Sequence, residues 1–336
     1  MAVSREFAYS IPKAELHLHL EGTLEPDLKL ELAKKNGIDI GQETVEEVEA
    51  SYEFDSLTSF LAVYYPAMNV LQDEDDFYAL GSAYFARAKE NGVVRAECFF
   101  DPQAHTTRGV ELEAVIRGYY RAVEEARENG MSADLILCFL RDMSAESALE
   151  TLRAALPYKD MFVGVGLDSD ERDNPPQKFA EAFDLARENG LRVTMHCDID
   201  QIGSIDNIRT ALTKLGAERL DHGTNIIEDP ELVKLVVEKG IGLTSCPMSN
   251  SFVTEEMKGK EIVDLLGRGV KVSINSDDPA YFGGYIADNF LALAEKENLT
   301  NEQIAQLARN SIEISWAEES ERSAMLDSLE EFLAAN

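Results

Sequence analysis

Nowhere does the chain run to the roughly 18 consecutive apolar residues that a membrane-spanning helix needs, so no transmembrane segment is expected. Met1 to Ser10 has no basic stretch leading into an apolar core, which argues against a secretory signal. Cysteine is scarce. Cys98, Cys138, Cys197 and Cys246 stand far apart in apolar surroundings and read as reduced thiols on buried strands, consistent with a cytoplasmic protein. Basic residues are the other shortage: 31 Lys and Arg face 63 Asp and Glu, a formal charge of −32. Such a surface repels phosphate backbones and anionic lipid, so neither nucleic acid nor membrane is expected as a partner. A neutral or cationic small molecule remains compatible. No low-complexity linker divides the 336 residues, and 1–336 reads as one domain.

Histidine numbers only five, and two of them open the pattern around which the rest is arranged. In Pro12–Thr23, Leu16, Leu18 and Leu20 alternate with His17 and His19, the period of a strand with unlike faces. Both imidazoles then point the same way, where two neutral ring nitrogens can grip one metal ion. A surface strand with histidines facing water is the plainer alternative.

After this first strand, taken as Ala14–Leu20, a helical region runs from about Glu25 to Asn91. Phe54, Leu57, Phe60, Leu61 and Tyr64 recur there at helical spacing, as do Phe77, Leu80, Tyr84 and Ala88. We read it as inserted helices whose aromatic stripes form core. From Val93 onward strand and helix alternate. The expected strands are Val93–Phe100, Ala133–Leu140, Met161–Leu167, Arg192–Met195, Ala217–Leu220, Gly242–Ser245 and Val270–Asn275. Alternation of this kind means parallel β-α-β units, and eight of them predict a closed α/β (β/α)8 barrel of the TIM type. A doubly wound open sheet is the runner-up, but no Gly-rich phosphate loop follows the first strand.

Each predicted strand ends in polar residues, the place where such barrels keep their active sites. His17, His19, His196 and Asp277 would together offer three nitrogens and one carboxylate oxygen. An ion held so keeps a position for water and lowers that water's pKa toward about 7. His222, from a neighbouring strand end, could take that water's proton or orient it.

These segments carry a resemblance. Pro12–Gly22 (PKAELHLHLEG), Glu97–Gln103 (ECFFDPQ), Gly166–Glu171 (GLDSDE), Asp221–Gly223 (DHG), Ser245–Asn250 (SCPMSN) and Asn275–Tyr285 (NSDDPAYFGGY) resemble the adenosine/adenine deaminase family of metal-dependent aminohydrolases over essentially the whole chain. Glu21-Gly22-Thr23 and Phe99–Gln103 look most like the adenine deaminase branch. The resemblance implies hydrolytic loss of ammonia from C6 of a 6-aminopurine, one zinc ion on His17, His19, His196 and Asp277, and water handled by His222. It further implies that Asp278 meets purine N7 and that Ser169 lies where the family contacts N3. Glu21 would face the side on which a ribose extends.

One departure stands out. The family reads His-Ala-Gly-Glu after the fifth strand, its Glu protonating N1. This chain reads His196-Cys197-Asp198-Ile199-Asp200, with Ile199 at the glutamate position. An apparent insertion of about two residues before Ile208 makes Asp200 the first candidate for that acid, with Asp198 second. Adenine is the expected substrate. The alternatives are adenosine, an N6-substituted adenine, another aminated heterocycle, or a barrel that binds purine without turnover.

Overall fold

The computed structural model describes residues 2–197, 201–254 and 256–336. Its frame is eight parallel strands paired in sequence order: β1 (Lys13–Glu15), β2 (Val93–Phe100), β3 (Ser132–Leu140), β4 (Gly164–Asp168), β5 (Arg192–Cys197), β6 (Arg219–His222), β7 (Gly242–Ser245) and β8 (Lys271–Ile274). Parallel strands buried on both faces read as continuous apolar runs. Leu135-Ile136-Leu137-Cys138-Phe139 is such a run, wholly inaccessible to solvent. The helices between strands have conventional stops and starts. In Pro230–Lys239, for example, the Asp229 carboxylate accepts from the N–H groups of Glu231 and Leu232, and Gly240 ends the helix at φ 65°.

The sheet closes through polar atoms. The Asp277 N–H donates to the His17 carbonyl at 3.1 Å, the His19 N–H to the Asp277 carbonyl at 3.0 Å, and the Leu16 N–H to Asn275 Oδ1 at 2.8 Å. The first strand is therefore shorter than expected. Regular pairing stops at Glu15, and beyond it only single bridges join Leu18 to Asp277 and His19 to Phe99. The Asn275 side chain occupies the ladder position at Leu16, which releases the following residues to reach the barrel mouth. β4 likewise begins three residues later than expected, because Leu156–Met161 forms a 3-10 turn.

At the opposite end the barrel interior is charged but paired. Glu97 accepts from Arg95 Nε at 2.8 Å and from Arg219 Nη1 at 2.5 Å, and the Arg219 guanidinium lies 4.3 Å from the Trp316 ring centroid. Such closely bonded charges tolerate burial.

After α1 (Arg5–Ser10), the segment between β1 and β2 supplies α2 (Pro26–Asn36), α3 (Val45–Ala50), α4 (Leu57–Ala67) and α5 (Glu74–Glu90). These are the inserted helices anticipated from the sequence. The whole α5 stripe, Phe77, Leu80, Tyr84 and Ala88, is buried as core. The α4 stripe does more, since Leu57, Phe60, Leu61, Tyr64 and Tyr65 form one wall of a cleft over the C-terminal ends of the strands. Among the described residues, no helix is long and apolar enough to cross a membrane.

Candidate metal centre and cleft

Three strand ends bring four side chains together at the barrel mouth. His17 and His19 follow β1, His196 lies within β5, and Asp277 follows β8. One ligand atom from each lies within 4.8 Å of the others. His17 Nε2 is 3.3 Å and His19 Nε2 is 3.4 Å from Asp277 Oδ1, and the Nε2 atoms of His19 and His196 are 3.1 Å apart. His222 stands at the edge, its Nε2 3.8 Å from Asp277 Oδ2.

Hydrogen bonds behind the rings assign a tautomer. The Thr244 hydroxyl donates to Asp221 Oδ1 at 3.0 Å, so at 2.9 Å it must accept from His17 Nδ1–H. The lone pair of His17 is thereby left on Nε2, a buried atom with no hydrogen-bond partner. Thr194 holds the other oxygen of Asp221 at 2.6 Å. A carboxylate-anchored partner behind a ring nitrogen is the usual support of a metal-binding histidine.

The electrostatics favour positive charge at this point. Burial works against a charged His19, but the carboxyls of Asp278, Asp277 and Asp101 outweigh it and lift the imidazole to about 10. Burial would raise Asp277, yet His17, His19 and His222 hold it well below the usual carboxylate range. His222 falls to about 3, through burial first and the neighbouring His17 second. Three imidazole nitrogens and one carboxylate oxygen, one of the nitrogens an orphaned buried lone pair, fit a zinc-class ion.

Backbone strain marks the same place. Ser169, His222 and Asp277 adopt positive φ values of 71°, 60° and 65°, which side-chain-bearing residues rarely hold. All three follow or end strands at the mouth, and strain of this kind collects at functional sites.

The cleft above the ligands is lined by α4 together with Asp101, Asp168, Ser169, Glu171, Asn250, Asp278 and Phe282. Ser169 accepts from the Tyr65 hydroxyl at 2.8 Å. Asp278 is wedged against Gly22, and burial drives its carboxyl well above the ordinary range. Glu21 is placed differently from the sequence expectation. The bridge between His19 and Phe99 turns the chain inward, so Glu21 is fully buried beneath the cleft and absent from its wall. Its Oε1 accepts from His105 Nε2 at 2.9 Å and from the Asp101 N–H at 3.3 Å. Asp198 and Asp200, the candidates for the acid, lie outside the described residues.

Sequence reasoning gave no role to Asp101 and Asp168, which share the cleft floor with His19; Asp168 Oδ2 is 3.5 Å from His19 Nδ1. The signal was available, since each ends an apolar run just as the assigned ligands do.

Residues 12–332 match the adenosine deaminase family along their whole extent. The chain belongs to the adenosine deaminase family. It is a hydrolytic deaminase with the TIM-barrel fold. Adenine deaminase of Hahella chejuensis is 48% identical, over 98% of this chain and 99% of that one. The crystal structure of adenine deaminase from Arthrobacter aurescens superposes with a TM-score of 0.93 at 43% identity, covering 97% of this deaminase and 100% of that chain. An amidohydrolase from Burkholderia ambifaria, solved with bound Zn, has a TM-score of 0.88 at 25% identity and covers 100% of this deaminase and 97% of that chain. Within its family this deaminase therefore sides with the adenine branch.

Proposed function

We propose that this deaminase converts adenine to hypoxanthine and ammonia, with one zinc ion per chain on His17, His19, His196 and Asp277. The observation that carries the reading is the convergence of those four donors beneath a small cleft, with the His17 lone pair directed by Thr244. When bound, the ion supplies Lewis acidity and a water of lowered pKa.

This chain's own residues do the rest. His222 holds and moves the proton of the attacking water, its strained backbone setting the ring beside the ligands. Asp278 meets N7, and Ser169, held by Tyr65, turns its own hydroxyl proton toward N3. As C6 becomes tetrahedral an acid must protonate N1, for otherwise the ring carries the developing charge unaided. Asp200 is the first choice for that acid and Asp198 the second, because Ile199 stands at the family's glutamate position. Glu21 serves from below by holding the backbone of Asp101.

The identity of adenine deaminases along the whole chain supports a free base as substrate. We further read residues 1–336 as a single domain working in the cytoplasm on a small purine. The test is to load the purified protein with zinc, add adenine, and follow hypoxanthine and ammonia together. Equimolar release of both is expected. Adenine bound but returned unchanged would turn the assignment to a binding barrel.

A further inference from the structure

From β8, through β1 and β2 to β4, the strand ends present Asp278, Asp101 and Ser169 in that order, with β5 next in the ring. A purine whose C6 sits at the metal ligands has a perimeter that reads N7, N9, N3 and N1 in the same direction. With Asp278 at N7 and Ser169 at N3, as in the reading above on which this rests, N9 is the ring atom between them and Asp101 the residue between them. We infer that Asp101 recognises the unsubstituted N9–H of the free base, one of its carboxyl oxygens accepting that hydrogen bond.

The placement suits the task. Asp101 lines the cleft and is only 1% exposed; its carboxyl lies beside that of Asp168, and no N–H or hydroxyl among the described residues donates to its buried Oδ1. A buried acceptor without a donor is costly, and native structures rarely leave one without a purpose. Although Asp101 precedes the helix Pro102–Thr106, its side chain does not cap it. Its backbone is fixed by Glu21, which His105 holds in turn. The carboxyl is thus anchored from below and available above. Among the described residues no Lys or Arg lines the cleft, so none of them is there to meet a sugar phosphate. A nucleoside carries its sugar on N9 and has no proton there, so it would leave Asp101 desolvated and unmatched. A site built to bond a substrate N–H discriminates far more sharply than one that rejects by size alone.

Adenine and 9-methyladenine are the probes, assayed on the zinc-loaded protein and on two variants. In the parent, kcat/KM for adenine should exceed that for 9-methyladenine by on the order of 10⁴-fold. Asp101→Ala should lose roughly 10²-fold in kcat/KM on adenine and shrink the preference by at least that factor, with zinc content unchanged. Asp101→Asn keeps a carbonyl acceptor at the same place and should hold the preference to within about tenfold. The inference is overturned if Asp101→Ala keeps the parent's preference, or if Asp101→Asn loses it as completely as Asp101→Ala. A parent inert on adenine would instead strike the proposed function, so the two failures are distinguishable.

Discussion

A Cβ placed on Gly22 would stand 2.0 Å from Asp278 Oδ1 and 2.7 Å from the Asp278 Cα. Gly22 is therefore the surface against which Asp278 is seated, and no side chain fits between them. Gly22→Ala must push Asp278 out of place. A displacement of about 1 Å at a substrate contact can cost around 10²-fold, and a loss of that size in kcat/KM is expected with the fold retained. Steady-state kinetics with circular dichroism checks it; parent-like kinetics would show that Asp278 does not need its seat.

Thr244 is not among the residues that line the cleft, yet it directs the His17 lone pair. Thr244→Val keeps the shape of the side chain and removes the hydroxyl, freeing His17 to adopt the wrong tautomer. Zinc affinity should fall by about 10- to 100-fold, as for other partners that stand behind metal-binding histidines. Competition with a chelator measures it, and unchanged affinity would mean that Thr244 does not set the tautomer.

His222 faces Asp277 across 3.8 Å but lies outside the set of four. His222→Ala should lower kcat by roughly 10²- to 10⁴-fold through lost proton handling and keep its zinc. Metal analysis beside the rate decides the matter: an apo variant would place His222 among the ligands.

Much of this architecture was legible in the sequence. Eight apolar runs, separated by helical periods and ending in polar residues, state a barrel plainly, and β2 and β7 fall where the runs suggested. Pattern reading erred where side chains replace ladder bonds, as at Asn275, which cuts β1 short of its histidines. The sequence placed Glu21 on the side where a ribose would extend, and its burial against His105 and Asp101 was not legible there, since those partners lie some 80 residues away in the chain. The aromatic stripe of α4 is core as read, with Phe60 and Tyr64 buried, but spacing alone could not tell that the same stripe also walls the cleft.

The acid that serves N1 calls for paired variants. Asp200→Asn and Asp198→Asn should be compared at equal zinc content, and the acting residue should lose most of kcat. Asp200 is expected to be that residue. Full activity in both variants would leave the mechanism without its proton donor.

The central claim is that this cleft deaminates a free base, and it meets its most direct test in one ratio. We predict that the zinc-loaded protein releases ammonia from adenine with a kcat/KM well above its value for adenosine. A clear preference for adenosine, or no ammonia from adenine at all, would contradict the account.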